Sequence, residues 1–426
     1  MKHLFEASVF LIILFVNIIG QSEEIKKEAK LLFVNGDYKG AVEILKQAED
    51  KGTDDPEIYY LLGYYSHYLA YDSRPLVGHD AKYSDKVLYY LERAIDLSPN
   101  YYGDAYSLIG AEYGARAIGF LQNGDDEKYI TSYEEAYGKG AFPHWLLENG
   151  RNMLKSCDEN AILIVGGDAT LNPIKYLQIV ENYRRDITVI PYAHLNRPWY
   201  IEKLKTGVKD ILRKIPIGLS DEQILDMHPY KWDTLIVKIP ISEKLKTEYE
   251  LSDDKIFEWE MIPNLIGESK NYLSPDKAVL ASIIETNKWE RQIYFSVGCH
   301  PSFVSGLTDN FQLCGLINML LPMETKGSKY YINPEKIREV LLDKDNIQNF
   351  KDVEKHNIPR NSGMLYNYYG ILYKLAIYYK NQNQTERIIE IADFIENNLL
   401  TDVLPNGAEI VSKIRKLKNK LIEVSR

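Results

Sequence analysis

Ala161–Tyr200, AILIVGGDATLNPIKYLQIVENYRRDITVIPYAHLNRPWY, reads as strand, loop, helix, strand and loop in succession. Ala161 to Val165 is a short apolar run with β-branched members, stopped by Gly166, Gly167 and Asp168. Asn172-Pro173 then opens a helical pattern whose buried stripe is Ile174, Leu177 and Ile179-Val180. Ile187 to Ile190 follows as a second buried strand ended by Pro191, with Tyr192, His194 and Asn196 just beyond its carboxyl end. Two strands joined through a helix lie parallel with a right-handed crossover, so both polar loops emerge on one edge of the sheet. In open parallel sheets that edge is where ligands bind.

A third strand is expected at Gln292–Val297, QIYFSV, turning at Gly298-Cys299-His300-Pro301. If it runs parallel, His300 reaches the same edge. The candidate ligand-binding set is therefore Gly166, Gly167, Asp168, His194, Asn196 and His300. A carboxylate, an amide and two imidazoles are the groups that hold a metal or a phosphate, or move protons. The structural alternative is that Asp168 caps the helix after it and the histidines satisfy loop carbonyls. The glycine pair matches neither the G-x-G-x-x-G spacing of dinucleotide sites nor a G-K-[ST] phosphate loop. With no nucleophile elbow, no H-E-x-x-H helix and no closely spaced acid pair, the sequence singles out no reaction class and no cofactor. Leu235–Ile239, LIVKI, reads as a fourth strand whose place in the sheet is open.

The 426 residues leave room for two or three domains, and 45% hydrophobic content supplies ordinary buried cores. A net charge of −10 argues against nucleic acid as a partner, because phosphate neutralisation needs a concentrated basic face. The densest basic run, Lys413–Lys420, falls on a terminal helix and reads as a solvated face. Residues 1–20 have the layout of a secretory signal, Lys2 followed by the apolar run Val9 to Ile19 and then Gly20. That run is about half the length needed to span a bilayer; left uncleaved, it would serve as a membrane tether. Export places the chain outside the cytoplasm, in the periplasm. Three cysteines, Cys157, Cys299 and Cys314, allow at most one disulfide, either a Cys299–Cys314 bridge or buried free thiols.

Glu23 to Gly150 is helical, with the spacing of tetratricopeptide repeats. Ala29, Leu32, Gly36-Asp37-Tyr38, Ala41, Leu45 and Ala48 form a first unit; Pro56, Tyr59, Leu62-Gly63, Val87, Leu91, Ala94 and Pro99 form a second around an inserted loop; Asp104 to Gly138 is a degenerate third. The many tyrosines of this region either line a concave face suited to peptide or sugar, or in half of the cases fill the helix-to-helix core where other repeats use leucine; the core reading is the stronger. After Leu321-Pro322 the chain is helical again, at Pro334 to Asp343, Gly363 to Lys380 and Glu386 to Asn398. The expected organisation is α/β plus all-α: a signal peptide over 1–20, repeats over 21–150, a small Rossmann-like parallel-sheet domain over 151–325 and a helical region over 326–426.

Several segments resemble a known family. Asn152–Lys205, then NKWERQIYFSV from Asn287, then GLTDNFQLCGLINMLLPME from Gly306, then the helical Tyr366–Leu399, are similar to the soluble carboxyl-terminal part of the bacterial protein O-mannosyltransferase-like family. Those proteins are large multi-pass membrane proteins assigned as glycosyltransferases. The likeness covers about Arg151 to Pro405 in matching order and implies for 306–324 a strand and a helix ending in leucine-proline. It implies a fold and a compartment more than a reaction, since the family's presumed catalytic part is membrane-embedded, where this chain has a signal-like segment and repeats. The family loop N-G-D-N-D-T-F-P corresponds here to Gly166–Pro173, and only Gly167, Asp168, Thr170 and Pro173 carry over. The expected function is an exported envelope protein that binds a protein or glycan partner without catalysis. The alternatives are a nucleotide-sugar- or metal-binding enzyme, or an accessory subunit of an envelope glycosyltransferase.

Overall fold

The structure, a computed structural model, describes residues 22–72, 81–99, 103–226, 230–231, 235–262, 264–265, 271–356 and 363–424. The expected signal, residues 1–20, lies outside them, as does most of the inserted loop of the second repeat. The described residues fall into two compact units, one within Met1–Phe142 and Lys355–Arg360 and one within Pro143–Glu354 and Asn361–Arg426. The division thus falls at Phe142, and the carboxyl-terminal helices belong to the same unit as the sheet.

The first unit is a run of helices: α1 over residues 22–34, α2 Tyr38–Glu49, α3 Pro56–Asp72, α4 Ala81–Leu97, α5 Gly103–Asn123 and α6 Asp126–Gly138. Each of α2 to α6 packs on the helix before or after it. The turn before α2 is made by Gly36, at φ +83°, and by Asp37, whose carboxylate accepts from the Gly40 N–H at 2.8 Å. Ala29, Ala41, Leu45 and Ala48 are buried with Ile58, Leu61, Leu62 and Ala94 in one core. A side chain at Gly63 would meet Leu91 at 2.7 Å, so the absence of a Cβ is what lets α3 and α4 approach. Of the tyrosines, Tyr59, Tyr65, Tyr90, Tyr129 and Tyr133 are buried, whereas Tyr68 and Tyr89 are exposed.

The second unit opens with α7, His144–Ser156, and then contains β1 Ile162–Val165, α8 Asp168–Ile179, β2 Thr188–Pro191, β3 Tyr230–Lys231, β4 Leu235–Pro240, β5 Ile256–Met261, β6 Asn264–Leu265, β7 Asn271–Leu273, β8 Ile293–Ser296, β9 Phe311–Cys314 and β10 Ile317–Leu320. The main sheet has the order β2-β1-β8-β10-β9. β1 pairs in parallel with both β2 and β8, so the three expected strands do share one direction. Pro191 ends β2 on the sheet's edge, where a missing N–H costs no ladder bond.

Three expectations are corrected. The sheet is mixed rather than parallel, because β10 and β9 add antiparallel. Phe311–Leu320 is a hairpin, not a strand and a helix: Gly315, at φ +56°, turns the chain, and both strands are almost wholly buried, so they lack the alternation that marks half-exposed strands. Leu235–Pro240 lies outside this sheet and pairs antiparallel with β5 alone among the described strands. A boundary also moves. α8 begins at Asp168, four residues before Asn172, since the N–H groups of Thr170 and Leu171 close on the Gly167 carbonyl and Pro173 is accommodated within the helix. Cys157, Cys299 and Cys314 are all free and buried.

The β4–β5 ribbon is held against the loop after β8. The Trp259 indole N–H donates to the Ser305 carbonyl at 3.0 Å, and Phe257 packs edge-on to Trp289. Gly306 sits at φ +78° with the Glu260 carbonyl where a Cβ would be. Gly327 shares the positive φ, +74°, but has open space around it. Gly306→Ala should therefore cost more than Gly327→Ala, about 2–4 kcal/mol against about 1, in denaturant titrations of the two variants. Equal losses would show that the ribbon does not press on this loop.

Candidate functional site

The carboxyl ends of β1, β2 and β8 bring their loops together as parallel pairing requires. Gly166 lies where an added Cβ would be 2.5 Å from the Gly298 carbonyl oxygen and 2.8 Å from the Tyr192 ring. Its N–H donates to the Ser296 hydroxyl at 3.2 Å, and the Cys299 thiol donates to the Ile164 carbonyl at 3.5 Å. Tyr192 stacks on Phe303 with ring centroids 4.7 Å apart. The strand ends are thus packed against one another by their own residues.

The six candidate residues have different situations. Gly166 is buried in that contact, whereas Gly167, at φ +82°, has open space around it and starts α8. Asp168 is exposed in the first turn of α8, where its negative charge complements the helix N-terminus. Asn196 lies at the end of the short 3-10 turn Tyr192–Asn196, and its side-chain oxygen accepts from the Asp276 N–H at 3.1 Å. It thereby caps the helix Pro275–Asn287, whose own preceding Ser274 makes no capping bond. His300 is exposed, and its Nδ1 accepts from the Ser302 N–H at 3.2 Å.

His194 turns inward against Tyr200, the ring centroids 5.2 Å apart and nearly perpendicular. Its Nδ1 is sealed from solvent with no hydrogen-bond partner among the described residues. Burial, reinforced by Arg197 and Lys175, pushes its pKa down to about 3, although the part of the ring that still reaches solvent tempers the effect. A histidine so held is neutral at every physiological pH. It accepts a proton only with difficulty, which makes it a poor general base. Among the described residues, no group of three or more His, Cys, Asp or Glu side chains could hold a metal ion.

A titratable group that no motif marks is Lys175, buried in α8 with its ammonium donating to the Val189 carbonyl at 3.1 Å. Burial lowers its pKa from 10.5 to about 8. The sequence holds a signal for it. The residues three and four positions from Lys175 are Leu171, Asn172, Gln178 and Ile179, none of them an acid that could pair with it along the helix.

The fold and site define a mixed α/β unit whose parallel strand ends pack together at Gly166, and which holds a buried lysine with no acid beside it. The family TMEM260-associated domain 2 matches residues 147–260 and 233–337, two overlapping stretches that lie within the second unit and contain the whole of the five-stranded sheet. No curated protein matches the chain.

Two outcomes follow. Asn196→Ala should lower stability by about 1 kcal/mol through loss of the cap, measured by urea unfolding; no change would mean that the Pro275–Asn287 helix is capped without it. For Lys175 the sign is fixed by its lowered pKa: the unfolded chain holds the proton more tightly between pH 8 and 10.5, so stability rises across that window. Below pH 8 the full cost, about 3 kcal/mol, is present. Lys175→Met should be the more stable protein at pH 7 in phosphate-free buffer, with an advantage that shrinks toward pH 10.5. A constant difference across that range would contradict the assignment.

Proposed function

We propose that this protein is an exported envelope protein that works as a non-enzymatic interaction module, taking a protein segment or a glycan on an aromatic face of its helical unit. The observation that carries the proposal is a continuous set of rings on α1 to α3. Tyr60, Tyr64 and Tyr68 recur every four residues along α3, with centroids 6.0 Å apart for the first pair and 5.1 Å for the second. Phe33 stacks on Tyr65 at 4.2 Å and meets Tyr68 edge-on at 5.2 Å, while Tyr38 lies 5.9 Å from Tyr68. Tyr68 is 39% exposed, and Leu31 and Val34 on α1 are 62% and 80% exposed. Rings with an apolar body and a polar tip, presented at the surface of rigid helices, are what peptide and sugar sites are built from.

The helical hairpins support reading this unit as tetratricopeptide repeats, and the order Lys2, apolar Val9 to Ile19, Gly20 supports reading residues 1–20 as an export signal. No described helix is long and apolar enough to cross a membrane. A second reading is favoured by the match to TMEM260-associated domain 2 together with the resemblance to the soluble part of bacterial protein O-mannosyltransferase-like proteins. Under it, the second unit assists or belongs to a glycosyltransferase, and Asp168 and His300, two of the exposed polar side chains at the strand ends, meet a nucleotide sugar.

The two readings separate cleanly. Crosslinking of the purified chain to envelope extracts and glycan arrays should lose at least tenfold in signal for the Tyr64→Ala, Tyr68→Ala double variant and none for Asp168→Ala. Loss with Asp168→Ala alone would reverse the assignment in favour of the glycosyltransferase reading.

A further inference from the structure

We propose that a cavity against edge strand β2 is a phosphate site, with the Lys175 ammonium inside it and the Arg185 and Arg213 guanidiniums at its rim. The cavity has a volume of about 220 Å³, and its lining includes Gln178, Thr188 and Asp210 besides these three cations. That is smaller than the pockets that enclose drug-sized ligands, and it suits a phosphate with few further atoms.

The cations are out of balance with the acids around them. Lys175 has three N–H donors, and its one hydrogen-bond partner among the described residues is the Val189 carbonyl. A buried ammonium without a counter-ion is costly, so it calls for an anion. Asp210 does not supply it: its carboxylate faces Arg185 at 3.4 Å, and its backbone carbonyl accepts from the same guanidinium. Asp186 is held by Arg184 on both carboxylate oxygens, at 2.8 and 2.9 Å, and only its backbone carbonyl accepts from Arg213. A fourth cation stands behind the cavity wall, where Arg291 donates to the Thr188 hydroxyl oxygen at 2.7 Å, which leaves that hydroxyl's own proton free to donate.

A tetrahedral dianion fits this arrangement better than a carboxylate. It offers oxygens in several directions at once, one toward the two unused Lys175 protons and others toward the guanidinium forks at the rim. Lys175 makes the site selective, since its charge is already desolvated before the ligand arrives. The inference rests on the second unit alone and is independent of the aromatic face of the helical unit.

The test is calorimetric titration of the full chain, exchanged out of phosphate and sulfate, with inorganic phosphate and with methyl phosphate as probes. Saturable binding is expected for at least one probe, at least tenfold weaker in Lys175→Met and in Arg213→Gln. Tighter binding of methyl phosphate would mean that the site takes the end group of a phosphate monoester, and tighter binding of inorganic phosphate that it takes the free ion; either result supports the site. Arg213 is exposed, so its variant keeps the test decisive should Lys175→Met alter folding. No binding by the unaltered chain, equal affinity in Arg213→Gln, or acetate bound as tightly as phosphate would overturn the proposal.

Discussion

The carbonyl of Gly298 stands 2.5 Å from the place a Gly166 side chain would occupy, and the Tyr192 ring 2.8 Å from it, so all three parallel strands meet at one point without room for another atom. Because β1 is buried along its length and paired on both sides, this contact sets where the β1, β2 and β8 loops can go. Asp168 is pushed outward at the start of α8, His194 is turned in against Tyr200, and Asn196 is used to cap a helix. Gly298–Gly306 then carries the β4–β5 ribbon through Trp259 and the closely fitted Gly306. At the edge where doubly wound proteins bind ligands, the strand ends here pack on one another at Gly166, with Gly167, Asp168, Asn196 and His300 exposed around that contact.

The polar chemistry of this unit is displaced to the outer side of β2. Lys175 crosses from α8 to the β2 carbonyl of Val189, and the arginines of the flanking loops gather around the same strand. A buried ammonium there reduces stability, and native proteins keep such groups where they serve a site. In the helical unit the corresponding unbalanced feature is apolar: rings that repeat along α3 and stay partly in solvent, where leucine would have been sufficient for packing.

Much of this was legible in the sequence. Helix positions in the front unit followed from Ala29, Gly36, Ala41 and Leu45, and the parallel strands from two apolar runs joined through a helical pattern. The hairpin at Phe311–Leu320 was not: the family resemblance implied a strand and a helix there, and strands buried on both faces lack the period of two that would have marked them. Nor was the partition of the six candidate residues. Spacing places Asp168, His194, Asn196 and His300 near one edge, but which way each side chain turns depends on tertiary partners such as Tyr200, Asp276 and Ser302 that are distant or unmarked in the chain. Lys175 carries in the sequence only the faint mark of acid-free helix neighbours, because one lysine in a helix otherwise reads as a solvated residue until the second strand covers it.

The central claim is that recognition belongs to the helical unit and not to the strand-end loops. Hydrogen exchange of the full chain, read by mass spectrometry with and without a crosslinked envelope partner or an array-selected glycan, tests it most directly. The account predicts new protection in peptides from Pro56–Asp72 and none in Gly298–Gly306. Protection confined to Gly166–Thr170 and Gly298–Gly306 would contradict it and restore the sheet edge as the binding site.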